Sequence, residues 1–223
     1  VRMASLMGIP NIFVYTHDSV AVGEDGPTHQ PIEQIANLRT TPNLETWRPC
    51  DTVESAIAWQ QAVANPAQPS ALIFTRQSTQ AQPRDELAFQ SIERGGYILK
   101  DCQAAPDLIL IGTGSEVELV MQAALILAQD DLHVRVVSMP CAERFLSQSE
   151  DYREKILPSR VRARVAVEAA HPQYWYQFVG LDGAVVGIDG YGLSAPGAQA
   201  LAQLGITAEN VVIHARRVLQ DLT

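Results

Sequence analysis

The first apolar run of the chain covers residues 11–15 and contains β-branched side chains, which predicts a short buried strand. It ends in Thr16-His17-Asp18. A polar stretch follows, Gly23-Glu24-Asp25-Gly26-Pro27-Thr28-His29-Gln30-Pro31. Its two prolines forbid a regular ladder or a helix interior, so it predicts a loop. Pro31 is suited to open a helix running to about Leu38. Residues 46–49 predict a short strand. Asp51 and Glu54 form a capping pattern for a helix reaching about Ala64, with Val53, Ile57 and Val63 on one face. Residues 70–75 predict another strand, ending at Arg76.

Residues 77–94 lose this periodicity and turn polar, which predicts an interdomain linker with one helical turn. From Gly95 onward the alternation sharpens. Strands are predicted at 107–111, 133–138, 162–168 and 184–188. Ser115 and Glu118 form a capping pattern before a helix that carries Val117, Val120, Ala124 and Leu127 on one face. Further helices are predicted at 198–204, opened by Ser194-Ala195-Pro196, and at 210–222. Strands alternating with helices predict an α/β fold: two α/β units with mostly parallel sheets. Residues 1–7 look like the middle or end of a helix with no cap before it. The first unit is therefore expected to be incomplete at its N-terminus, with any targeting segment lying upstream of this chain.

Composition narrows the possible functions. With 47% hydrophobic and 18% charged residues, the 223-residue chain can build one or two large cores. A net charge of −9 argues against nucleic acid as a partner, because neutralising phosphates takes clustered Lys and Arg. Small anionic substrates remain open, since they respond to local charge. Cys50, Cys102 and Cys141 are odd in number and far apart, which suits neither a zinc site nor a disulfide framework and fits reduced thiols in a cytoplasmic setting. No apolar run approaches the ~18–20 residues that span a bilayer, so no membrane partner is expected.

Four residues sit where α/β proteins place function, on loops after strand ends: His17, Asp25, His29 and Arg76. A histidine on a rigid loop can move protons near neutral pH. A carboxylate can accept from a substrate hydroxyl, and an arginine fork matches phosphate oxygens. Each also has a plain structural alternative: a backbone bond for the histidines, a turn residue for Asp25 and a surface ion pair for Arg76. Gly112-x-Gly114 lacks the third glycine of a dinucleotide fingerprint, and a tight strand-to-helix turn suits it better. Glu168, at a strand end, is either functional or a partner for backbone amides. Tyr174, Trp175, Tyr176 and Phe178 fit packing or interface roles. His133, His171 and His214 share no ligand spacing, so no metal is assigned.

Tyr15-Thr16-His17-Asp18-Ser19 followed by Gly23 to Pro31 resembles the transketolase signature. The Asp-Gly-Pro-Thr-His core alone is less specific, because deoxyxylulose-phosphate synthases carry a similar loop. The resemblance continues through Trp47-Arg48-Pro49, Thr75-Arg76-Gln77, Gly95-Gly96-Tyr97, Gly114-Ser115-Glu116, Ser138-Met139-Pro140 and Tyr174-Trp175-Tyr176, and covers essentially the whole chain. It departs at Leu193 within 191–196, outside the catalytic loops. The resemblance implies a partial thiamine-diphosphate pyrimidine-binding domain over 1–80, a linker over 81–94 and a C-terminal domain with a five-stranded, mostly parallel sheet over 95–223. It implies transfer of a two-carbon ketol unit from a ketose phosphate to an aldose phosphate by a homodimer in the pentose phosphate or Calvin pathway. Thiamine diphosphate and Mg²⁺ would supply the hard chemistry in the intact enzyme, and this chain alone is expected to bind neither. On the same basis His29 assists proton transfer and Asp25 recognises the donor's C2-hydroxyl configuration. His17 and Arg76 hold the substrate phosphate. The alternatives are a dihydroxyacetone synthase using formaldehyde, or a non-catalytic structural or dimerisation module.

Overall fold

A computed structural model describes residues 1–223. After helix α1 (Arg2–Met7), strand β1 (Ile12–Tyr15), helix α2 (Gln34–Arg39), strand β2 (Glu45–Trp47), helix α3 (Thr52–Ala64) and strand β3 (Ser70–Ile73) complete the first unit. Its three strands are parallel in the order β1-β3-β2, with β1 and β3 in register from Ile12↔Ser70 to Tyr15↔Ile73. Pro31 does not open α2, which starts three residues later at Gln34. The Asp51 cap on α3 forms as expected: its Oδ1 accepts from the Glu54 amide at 3.0 Å, and Glu54 Oε2 accepts from the Cys50 amide at 2.7 Å.

The buried face of α3 matches the prediction in part: Val53 and Ile57 pack half-buried against the main core, but the fully buried positions are others. Glu54, Ala58, Gln61 and Ala62 are buried, and Val63 is 73% exposed. Two of those positions are polar, so apolar periodicity missed the stripe. Glu54 can be buried because Tyr97 Oη and Ser138 Oγ both donate to its Oε1, at 2.9 and 2.6 Å.

The segment expected to be a linker is more ordered than predicted. It contains helix α4 (Glu86–Ser91), capped by Asp85 Oδ1 accepting from the Ala88 amide at 2.7 Å, and a 3-10 turn that closes at Gly95 with φ +83°. The second unit then runs β4 (Tyr97–Lys100), β5 (Leu108–Gly112), α5 (Glu116–Leu127), β6 (Val134–Ser138), α6 (Ala142–Leu146), α7 (Glu150–Ile156), β7 (Arg164–Val167), α8 (Tyr176–Val179), β8 (Ala184–Val186), α9 (Gly197–Gln203) and α10 (Ala208–Asp221). Its sheet has five strands in the order β4-β6-β5-β7-β8, all parallel except β4, which the apolar pattern did not reveal. Along β5, Leu108 and Leu110 join the core under α5 and α10, while Ile109 and Ile111 join the opposite core with Phe145, Trp175 and Phe178. Both faces are covered, which is why this strand reads as an unbroken apolar run. Ser115 does not cap α5; its Oγ bonds Glu116 Oε1 at 2.6 Å instead. Of the four aromatic residues expected to pack, Trp175 and Phe178 are buried, whereas Tyr176 is mostly exposed.

The two units meet around a buried ionic cluster. Arg48, fully buried, follows β2 and reaches into the second unit. Its guanidinium pairs with Asp18 at 2.7 Å, with Glu116 in a short hydrogen bond and with Glu168 at 3.4 Å. Arg39 grips Glu168 through both oxygens, at 2.5 and 2.8 Å, and Trp175 Nε1 donates to the same carboxylate at 2.7 Å. Burial alone would raise the Glu168 carboxyl, but attraction from Arg39 and Arg48 outweighs it and holds the group below the usual carboxylate range. Burial dominates at Glu116, which sits above that range despite Arg48. Gly114 has φ +55°, and a Cβ there would lie 2.7 Å from Arg48 Cζ. The glycine turn after β5 therefore admits an arginine from the other unit, and Glu168 serves the same junction.

Candidate active site

Strands β1 and β3 end side by side, the Phe74 amide donating to the Tyr15 carbonyl at 3.0 Å. His17 and Arg76, two and three residues past those strands, leave from the same carboxyl edge. The loop after His17 is anchored at its root. Asp18 is buried against Arg48, and Ser19 Oγ accepts from the Ala21 amide at 3.3 Å, opening a 3-10 turn over Val20–Val22. Gly23 and Gly26 take φ of +91° and +78°, which makes the sharp turn that carries Asp25.

Gln30 closes the loop from inside. Its buried Nε2 donates to the carbonyls of Gly23 at 2.9 Å, Val20 at 3.3 Å and Leu193 at 2.9 Å, the last belonging to the second unit. Ser194 Oγ, also from the second unit, donates to the Glu24 carbonyl at 2.6 Å. The 191–197 segment, itself outside the candidate loops, thus packs directly on this one.

A cleft of about 630 Å³ opens beside this loop. His17, Thr28, His29, Asn37 and Tyr191 line it, so the two candidate histidines share one cavity and the second unit contributes an aromatic wall. His29 Nδ1 lies 3.0 Å from Thr28 Oγ1. Asp25 and Arg76 are exposed, lie outside the lining and form no ion pair within the chain. The surface ion pair considered for Arg76 is therefore absent. Gln30 and Tyr191 were missed from sequence; neither stands in a spacing that implies chemistry, and both are brought in by the fold.

A larger cleft of about 840 Å³ adjoins the first at Asn37 and Thr41 and includes Arg39, Glu45, Glu143 and Tyr174, but none of the four candidates. Burial raises the Glu143 carboxyl to about 7. No group of three or more His, Cys, Asp and Glu side chains in the chain can hold a metal ion.

Both units match known protein domains. Residues 1–82 match the family model "Transketolase, pyrimidine binding domain", and residues 95–207 match "Transketolase-like TK C-terminal domain". Transketolase 2 of Vibrio parahaemolyticus is 55% identical over 219 residues, covering 98% of this chain and 33% of the relative. Transketolase from Leishmania mexicana superposes with a TM-score of 0.92 at 39% identity, covering 99% of this chain and 32% of that one. A Pichia stipitis transketolase, solved as a complex with sedoheptulose-7-phosphate, gives 0.91 at 33% identity over 99% of this chain and 32% of its own. The chain spans about a third of the length of these relatives. On the matched domains and the sequence identity, this chain belongs to the transketolase family.

Proposed function

We propose that the enzyme containing this chain transfers a two-carbon ketol unit from a ketose phosphate to an aldose phosphate, as a cytoplasmic homodimer in the pentose phosphate or Calvin pathway. The observation that carries this reading is the shared cleft of His17 and His29, next to the strand edge from which Arg76 emerges. The sugar phosphate bound by the Pichia stipitis relative supports the substrate class. No helix of the chain is long and apolar enough to cross a membrane.

Thiamine diphosphate with Mg²⁺ is the family's cofactor. A diphosphate-bound Mg²⁺ needs clustered oxygen ligands, and this chain offers no such cluster. Nor does it contain a Gly-Asp-Gly segment. The residues here do not fit that end of the cofactor, and the roles proposed for the four candidates lie on the substrate side. His29 moves a proton at a substrate hydroxyl. C2 of a ketose donor is the carbonyl carbon, so the C2-hydroxyl from which Asp25 accepts a hydrogen bond is that of the acceptor aldose. His17 and Arg76 donate to the terminal phosphate.

In the full-length enzyme, Arg76→Ala or His17→Ala is expected to weaken use of phosphorylated donors by roughly 10–150-fold, equivalent to about 1.5–3 kcal/mol for a charge-assisted hydrogen bond. Hydroxypyruvate, which has no phosphate, should lose far less. Steady-state kinetics on both donors decides the matter, and equal losses reject the phosphate role.

Asp25→Ala should erode discrimination between C2-epimeric aldose acceptors, because the site no longer rejects the analogue that leaves its carboxylate unpaired. Unchanged epimer ratios with activity retained would rule out this assignment.

A further inference from the structure

We infer that the second unit is a positioning element for the His29 loop, acting through Gly192, Ser194 and the buried amide of Gln30. The inference rests on the proposed role of the His29 loop and assigns a task to the unit in which none of the four candidates lies. Gln30 is the neighbour of His29, and its Nε2 ties three carbonyls together: two at the far end of the loop, Val20 and Gly23, and one from the other unit, Leu193. Ser194 adds a second strap at Glu24, the residue before Asp25. Gly197, the first residue of α9, sits so close that a Cβ on it would fall 2.4 Å from the Ala21 carbonyl oxygen. The loop is therefore held from outside at 21, 24 and 30, on both sides of Asp25 and His29.

Gly192 controls the strap at Gln30. A Cβ on Gly192 would lie 1.7 Å from Gln30 Oε1 and 2.8 Å from its Cδ. Gly192 does not have the positive φ that would itself penalise alanine. A methyl group there has to push the Gln30 amide aside, and the three carbonyl bonds go with it. Gln30 Oε1 is buried with no hydrogen-bond partner, so no other bond anchors that end of the side chain. Displacing a catalytic group by about 1 Å can cost 10²-fold in rate without touching the chemistry.

The test is Gly192→Ala in the full-length enzyme, together with Gln30→Ala and the double variant. Gly192→Ala is expected to lower kcat for a phosphorylated donor by about 10–100-fold with KM little changed, since the phosphate-holding groups His17 and Arg76 lie outside the strap. It should also speed amide hydrogen exchange in peptides covering residues 20–30. The double variant should be no worse than Gln30→Ala alone, because the methyl then has no amide to displace. Losses that multiply in the double variant, or an unchanged kcat in Gly192→Ala, would overturn the inference. So would unaltered exchange in the loop. A parent enzyme with no ketol transfer at all would reject the functional reading instead, and the exchange measurement would still decide whether the clamp exists.

Discussion

Replacing Arg48 by Met is expected to lower the unfolding free energy by about 3–5 kcal/mol, the usual cost of removing one partner from a buried ion pair. For a chain of this length that corresponds to a melting temperature roughly 10 °C lower. The size follows from what is left behind. Asp18 and Glu116 lose the cation that pairs with them, and both remain fully enclosed. Glu168 keeps Arg39. Lysine at position 48 should recover little, because a single ammonium cannot address three carboxylates from one plane. Adding Glu116→Gln to Arg48→Met should return part of the loss by removing one uncompensated charge. The deficit should also narrow as pH falls, since a buried carboxylate without its cation can take up a proton. Urea titration of the parent and the three variants measures all of this. A loss below about 1 kcal/mol, typical of an exposed pair, would mean that the cluster does not hold the two units together.

His29→Ala is expected to lower kcat of the full-length enzyme by about 10²–10⁴-fold, the range for deleting a general acid–base group. Stability should hardly move. His29 is exposed, and its one side-chain hydrogen bond goes to its neighbour Thr28. That combination separates a chemical role from a structural one: stopped assays with an unchanged melting curve. A kcat within threefold of the parent would remove His29 from the proton-transfer step.

The second unit was the more legible of the two in sequence. β5 and α5 announce themselves through unbroken apolar runs and a regular Val117–Val120–Ala124–Leu127 stripe, because the neighbours that bury them are themselves apolar. β4 was hidden. It pairs antiparallel at the sheet edge, and only alternate residues of its Tyr-Ile-Leu-Lys run are fully buried. α3 misled because its buried stripe includes Glu54 and Gln61, whose partners Tyr97, Ser138 and Arg144 lie far along the chain. The candidate site divides in the same way. His17, Asp25, His29 and Arg76 follow strand ends and could be nominated from position. Gln30 and Tyr191 matter only through contacts across more than 150 residues, such as the bond from Gln30 to Leu193, and no local pattern encodes those. The ionic cluster was equally unreadable. Arg39, Arg48, Glu116 and Glu168 are scattered charges until folding gathers them.

The straps on the His29 loop all end on main-chain oxygens, those of Val20, Gly23, Glu24 and Leu193. A carbonyl is supplied by every amino acid, so the hydrogen bonds themselves place no demand on the side chains that carry them, although Gly23 is constrained by its φ of +91° and Val20 by its burial in the core. The specifying burden falls on the donors Gln30 and Ser194, and on Gly192 and Gly197, where any side chain would intrude. Leu193, the position that departs from the family pattern, belongs to the permissive set, and its substitution leaves the strap's chemistry intact. Mutational drift can therefore pass through positions 24 and 193 while the loop keeps its shape, whereas at 192 even a methyl group meets the Gln30 amide.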